Sequence, residues 1–141
     1  MKIKVAFICV HNSCRSQMAE AIGNMVASEV FQCYSAGTKL KSKINQDAVL
    51  AIEKLYGINM NHLQYPKLLE ELPLVDIIIT MGCNVECPYI PSKYQEDWGL
   101  EDPTGAPLEE FFKVAKTIEE KVLDLKRRVD RKSTRLNSSH R

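Results

Sequence analysis

The residues with the clearest chemical potential in this chain are Cys9 and Arg15, which are separated by five residues. A cysteine thiolate is a strong nucleophile, and arginine presents a planar fork of donors that matches a tetrahedral oxyanion. Ser16 follows Arg15 directly and can donate a hydrogen bond to the Cys9 sulfur. The pattern predicts a single site that binds an oxyanion and attacks it through sulfur.

The residues between the cysteine and the arginine are expected to supply the remaining binding groups. Successive backbone N–H groups in a tight loop before a helix make a cradle for an anion. A loop that lacks the glycines and the Gly-Lys-Ser/Thr ending of a nucleotide-binding loop argues against ATP or GTP as the ligand. Asn12 tolerates the left-handed backbone that such a loop requires. We expect the cradle to consist of Val10, His11, Asn12, Ser13 and Cys14, together with Arg15.

The segments on either side of this loop predict how it is held. Residues 3–8 are apolar and rich in β-branched side chains, which is typical of a buried strand. Apolar residues recur at helical spacing over 16–28, which predicts an amphipathic helix. The loop therefore joins the end of a strand to the start of a helix.

Strand and helix signals alternate along the rest of the chain, which predicts a parallel sheet with crossover helices. Asn45 is expected to cap a helix over Gln46–Tyr56, and Gly57 is expected to end it. The other expected elements are strands over 30–36 and 74–80, a short helix from Pro66 through Leu72, an edge strand over Trp98–Leu100 and a long helix over Leu108–Val129, with residues 58–65 irregular. Ligands of such sheets bind beyond the carboxyl ends of the strands, which is where the Cys9 loop lies.

Composition restricts the class of protein. A chain of 141 residues with 45% hydrophobic residues, 26% charged residues and a net charge of +1 predicts one globular domain. This balance gives no support for nucleic acid or membrane as a partner. Five cysteines and no secretion signal favour functional thiols in a reducing cytoplasm. We expect the domain to cover residues 1–131, and residues 132–141 to be a polar, basic tail that is disordered or non-native.

The stretch from Cys9 to Glu20 reads Cys-Val-His-Asn-Ser-Cys-Arg-Ser-Gln-Met-Ala-Glu. It resembles the phosphate-binding loop of the low-molecular-weight tyrosine phosphatases, and more closely that of the arsenate reductases built on the same fold. The resemblance extends over about residues 1–129. It implies an α/β domain with a four-stranded parallel sheet and helices on both faces. It also implies that Asp102, in the pair Asp102-Pro103, protonates the oxygen that leaves when sulfur attacks.

Cys83 and Cys87 follow the third expected strand. The resemblance to arsenate reductases implies that they receive the bond from Cys9 as a disulfide relay, with thioredoxin or glutaredoxin as the reductant. A zinc site and a pair of unrelated structural thiols are the alternatives. Cys14 is expected to point into the fold and Cys33 to lie in the core. No cofactor and no metal are expected, and the protein is expected to be a monomer.

Three functions are compatible with these features. The favoured one is reduction of arsenate to arsenite by Cys9 and the pair Cys83/Cys87. The second is a tyrosine phosphatase, which requires Cys9, Arg15 and Asp102 and uses water to hydrolyse a phosphocysteine. The resembling phosphatases place aromatic residues after Asp-Pro, whereas Thr104-Gly105 stands here. The third is a non-catalytic redox sensor or zinc-binding module, which has no need of Asp102.

Overall fold

The computed structural model describes residues 2–39, 42–82 and 90–139, with the backbone alone for 131–139. Its centre is a four-stranded sheet in the order β2-β1-β3-β4. Every neighbouring pair is parallel. The strands are β1 (Ile3–Cys9), β2 (Phe31–Gly37), β3 (Ile77–Thr80) and β4 (Tyr94–Asp97). The predicted four-stranded parallel α/β architecture is thereby confirmed.

Helices follow β1, β2 and β4, as the sequence pattern predicted, but among the described residues none lies between β3 and β4. They are α1 (Arg15–Val26), α2 (Gln46–Tyr56), α3 (Met60–Leu63) and α4 (Leu108–Ser139), with a 3₁₀ turn at Leu69–Glu71. The bounds predicted for α2 are confirmed. The Asn45 side chain accepts hydrogen bonds from the backbone N–H groups of Asp47 and Ala48, and Gly57 ends the helix at φ 70°. Both helix ends follow from local sequence because each needs only its own capping residue.

The side chains of β1 divide the core between the two faces of the sheet. Val5, Phe7 and Cys9 point to the face covered by α1, α2 and α4. Ala6 and Ile8 point to the opposite face, against the 3₁₀ turn and its flanks. This alternation is the period of two that a β-strand imposes. With both faces covered, β1 is buried along its length and holds its carboxyl end in a fixed position.

Three expectations about local structure were wrong. The edge strand is Tyr94–Asp97 rather than Trp98–Leu100, because exposed polar residues form it and leave no hydrophobic pattern. Trp98 instead packs against Phe7, with ring centroids 5.5 Å apart. The helix expected from Pro66 to Leu72 is only the 3₁₀ turn, since residue 67 bonds through its backbone to the Cys9 loop and to β2. The segment before it, expected to be irregular, contains α3.

The last helix continues beyond Val129 to Ser139. The domain boundary at residue 131, and the non-native or disordered character expected for 132–141, stay predictions. Within the described ranges, no helix combines the length and apolarity needed to cross a bilayer.

Candidate active site

The loop after β1 lies at the carboxyl edge of the sheet. Strand β1 ends at Cys9 and α1 begins at Arg15. The end of β2 passes very close to this loop at Gly37, which pairs with Cys9. A Cβ atom at Gly37 would lie 2.6 Å from the Val10 carbonyl oxygen and 2.8 Å from the Asn12 nitrogen. Only glycine therefore permits β2 to support the loop from this side.

The Cys9 sulfur has a specific hydrogen-bond partner. Its Sγ lies 2.8 Å from Ser16 Oγ. Asn12 Nδ2 donates to the same Ser16 Oγ at 2.9 Å. Because an amide nitrogen can only donate, the serine oxygen accepts there, which leaves the hydroxyl proton available to sulfur. A hydrogen bond to a charged acceptor is stronger than one to a neutral group, so Ser16 is placed to support the Cys9 sulfur as a nucleophile.

Asn12 is the internal support of the loop. It is fully buried and adopts the left-handed backbone expected for it, at φ 51°. Its Oδ1 accepts from Gln17 Nε2 at 3.0 Å and from the backbone N–H of Lys67 at 2.8 Å. With both ends of its amide engaged, the Asn12 side chain has one orientation, and that orientation fixes Ser16.

The loop also presents donors to its interior. In the described part of the chain, the backbone N–H groups of residues 10–14 donate to no other protein atom. Those residues are Val10, His11, Asn12, Ser13 and Cys14, the set expected to form the cradle. Unpaired N–H groups beside a helix N-terminus are suited to an oxyanion.

Arg15 is held on one edge and available on the other. Its Nη1 donates to the carbonyl oxygens of Met81 and Leu100, at 2.6 Å and 2.7 Å. Its Nε is buried and has no acceptor among the described residues. Two carbonyls thus anchor one corner of the guanidinium, while the Nε–Nη2 edge retains the parallel donors that suit a bidentate oxyanion.

Asp102 lies on the Arg15 side of the site. Its Oδ2 is 4.0 Å from Arg15 Nη2, and its side chain is 51% exposed. Its Oδ1 accepts from the backbone N–H and the hydroxyl of Thr104, at 3.1 Å and 2.7 Å. Thr104 therefore holds the carboxyl group in a turn beside the arginine, within reach of water. Such a position is suitable for a proton donor to a bound oxyanion.

The described cysteines differ in their chemistry. Cys9, Cys14 and Cys33 are all buried and free. Burial raises the pKa of Cys14 to about 12, with the Asp102 and Cys9 charges acting in the same direction. Burial likewise raises the pKa of Cys33 to about 12, assisted by Glu20. Both remain thiols at neutral pH, as expected for residues that point into the fold.

The structure thus brings together Cys9, Ser16, Arg15 and Asp102. Cys83 and Cys87 lie outside the described residues, so their predicted relay stays a prediction. Sequence reasoning missed Gln17 and Lys67, which support Asn12, and the two carbonyls that anchor Arg15. Gln17 is only five residues from Asn12 and lies within the stretch that resembles the family, but no spacing signal could have identified Lys67 or the two carbonyls, because they are 55 to 85 residues from their partners.

The chain is similar to phosphatases and arsenate reductases in both sequence and structure. A family profile described as low molecular weight phosphotyrosine protein phosphatase matches residues 4–135. Arsenate reductase 2 of Staphylococcus epidermidis is 35% identical over 133 residues, which is 90% of this chain and 98% of the relative. A solved structure entitled an arsenate reductase in the phosphate binding state superposes with a TM-score of 0.80 at 33% identity, covering 91% of this chain and 98% of that one. A thioredoxin-dependent arsenate reductase from Corynebacterium glutamicum has a TM-score of 0.70 at 30% identity, covering 92% of this chain and 62% of that one.

Proposed function

The chain belongs to the low molecular weight phosphotyrosine protein phosphatase family, and within that family we propose that it reduces arsenate to arsenite at the expense of protein thiols. The observation that carries the proposal is the contact of the Cys9 sulfur with Ser16 Oγ, 2.8 Å away, at the base of a loop whose N–H groups donate to no other atom of the described residues. Similarity to arsenate reductases over nine-tenths of the chain supports this reaction over others of the family.

The first step is attack on the bound oxyanion. The loop amides and the Nε–Nη2 edge of Arg15 hold arsenate with its arsenic atom in front of the Cys9 thiolate. Sulfur forms a bond to arsenic(V), and Asp102 gives a proton to the oxygen that leaves as water. Arg15 and the loop amides offset the negative charge of the oxyanion throughout.

The second step transfers two electrons. The Cys83 thiolate attacks the Cys9 sulfur, so that a Cys9–Cys83 disulfide forms and the sulfur–arsenic bond breaks. The bonding pair stays on arsenic, which leaves as arsenite. Cys87 then attacks Cys83, which releases the Cys9 thiolate and leaves a Cys83–Cys87 disulfide. A dithiol protein of the thioredoxin or glutaredoxin class reduces that disulfide by exchange.

Strand pairing supports the assignment of Cys83 as the attacking thiol. Ile8 of β1 pairs with Thr80 of β3, so the two parallel strands end at the same edge of the sheet. Cys83 comes three residues after Thr80 in the chain, and Met81 already bonds to Arg15. Free thiols of this kind persist in a reducing cytoplasm, where the proposal places the protein, acting as a monomer.

Phosphatase activity is the second candidate function. The family itself and the described groups Cys9, Arg15 and Asp102 favour it, because hydrolysis of a phosphocysteine needs water but no second thiol. The two activities therefore share their first step and differ in their need for Cys83 and Cys87.

The deciding experiment measures arsenite production, with thioredoxin and glutaredoxin supplied separately, alongside hydrolysis of an aryl phosphate. We expect Cys83→Ser to stop arsenate turnover and to spare any aryl phosphate hydrolysis, and Cys87→Ser to stall after one turnover. Cys9→Ser should abolish both activities. Cys33→Ala serves as the matched control, since it removes a buried thiol that has no part in the relay. Arsenite production at the normal rate by Cys83→Ser/Cys87→Ser would refute the reductase and favour the phosphatase.

A further inference from the structure

A largely buried ion pair lies behind the anion-binding loop. Lys67 Nζ is 3.6 Å from Glu20 Oε1, and each side chain is only 13% exposed. The same carboxylate oxygen accepts a hydrogen bond from Ser35 Oγ at 2.5 Å. Burial raises the pKa of Glu20 above its usual range, while the Ser35 hydroxyl and the Lys67 ammonium oppose this rise. Buried charges are costly to desolvate, and a buried pair is weak evidence for stability by itself. Stability alone therefore does not explain why Lys67 and Glu20 are paired here.

Residue 67 is connected to three separate elements. Its ammonium group pairs with Glu20 of α1. Its backbone N–H donates to Asn12 Oδ1 in the loop at 2.8 Å, and its carbonyl oxygen accepts from the Gly37 N–H at the end of β2 at 2.9 Å. A substitution of Lys67 can remove the ion pair with Glu20, whereas the two backbone hydrogen bonds can still form.

The connection continues from Asn12 to the sulfur. Asn12 Nδ2 donates to Ser16 Oγ at 2.9 Å, and Ser16 Oγ lies 2.8 Å from Cys9 Sγ. We propose that Lys67 is a positioning residue for Cys9, because its ion pair with Glu20 fixes the backbone that orients Asn12 and, through it, the Ser16 proton. This inference rests on the proposed role of Cys9 as the nucleophile.

The test compares Cys9 reactivity in the wild type and in Lys67→Met. Iodoacetamide alkylation of the Cys9 peptide, followed by mass spectrometry at pH 7, reports the thiolate directly. We expect the variant to react about threefold to tenfold more slowly, because a misdirected Ser16 hydroxyl stabilises the thiolate less. Lys93→Met is the matched control. The Lys93 side chain is 84% exposed, and its Nζ forms an ion pair with Asp76 Oδ1 at 3.5 Å. The control should react at the wild-type rate.

A double variant separates positioning from simple stability. In Lys67→Met/Glu20→Gln no buried charge is left unpaired, so we expect the unfolding temperature to recover toward the wild-type value. Alkylation of Cys9 should remain slow, since the link between α1 and residue 67 is still absent. The double variant also carries the test if Lys67→Met alone does not fold.

Two results would overturn the proposal. One is a wild-type alkylation rate in folded Lys67→Met, and the other is recovery of both stability and alkylation in the double variant. The alkylation assay needs no arsenate. If the wild-type protein makes no arsenite, the proposed function is refuted, but the alkylation rates of the wild type and the Lys67 variants still decide whether Lys67 positions Cys9.

Discussion

The hydrogen bond from Ser16 to the Cys9 sulfur can be tested by the substitution Ser16→Ala. In the wild type, Ser16 Oγ lies 2.8 Å from the Cys9 sulfur and accepts a hydrogen bond from Asn12 Nδ2 at 2.9 Å. Alanine removes the side-chain atom of residue 16 that can donate to sulfur. Both residues are buried, so solvent compensates little for the loss.

The size of the effect follows from the charge on the acceptor. A hydrogen bond to a charged group contributes roughly 1.5–3 kcal/mol, and about 1.4 kcal/mol corresponds to a factor of ten. Loss of the bond would then slow attack by the Cys9 sulfur by about tenfold to a hundredfold if its intrinsic nucleophilicity did not change. A more basic thiolate is intrinsically more nucleophilic, with a Brønsted slope of about 0.4–0.5, so the net loss in rate should be about threefold to fifteenfold.

The assay is iodoacetamide alkylation of the Cys9 peptide across a range of pH, followed by mass spectrometry, together with arsenate consumption under the same conditions. Ser92→Ala is the matched control, because it removes a hydrogen-bonded serine hydroxyl outside the site. Equal alkylation rates in Ser16→Ala, Ser92→Ala and the wild type would refute the argument, and the thiolate would have to be stabilised by other groups.

Three further substitutions test other parts of the structure. Arg15→Lys should lose most arsenate turnover, because lysine cannot bind the Met81 and Leu100 carbonyls and still present two parallel donors; steady-state rates near wild type would show that the oxyanion binds elsewhere. Gly37→Ala should lower the free energy of unfolding in urea by about 1–3 kcal/mol, since its Cβ would lie 2.6 Å from the Val10 oxygen; unchanged stability would contradict the close approach. Hydrogen bonds from Arg128, Tyr94 and Trp98 outweigh burial and lower the pKa of Glu96 from 4.5 to about 2. That carboxylate stabilises the fold above pH 4.5 and loses its contribution as the pH falls toward 2. In Glu96→Gln the free energy of unfolding in urea should therefore decrease less steeply over this pH range than in the wild type. An unchanged pH dependence would refute the assignment.

The chemistry of the loop could be predicted because its parts are adjacent in the chain. Cys9 closes a strand, Arg15 opens a helix, and the residues between them form the loop. The helix over Gln46–Tyr56 was predictable for the same reason, since its cap and its terminal glycine act within one turn. Interactions over a few residues leave a spacing in the sequence that can be recognised without knowledge of the fold.

The edge strand shows where such recognition fails. Residues 94–97 are mostly exposed and polar, and they form a strand because β3 offers its unpaired backbone groups beside them. Backbone pairing of this kind leaves no trace in side-chain periodicity. The strand was therefore predicted to begin at Trp98, an aromatic residue that packs against Phe7 instead.

Tertiary structure alone decided how the site is held in place. Arg15 is anchored by carbonyl oxygens 66 and 85 residues away in the chain. Asn12 is oriented by the backbone of Lys67, which is 55 residues away. The sequence by itself determined which groups can bind and attack an oxyanion, because residue type and local spacing are enough for that. It did not determine their orientation, because backbone carbonyls and N–H groups are present at nearly every position, and only the folded chain selects which of them meet the site.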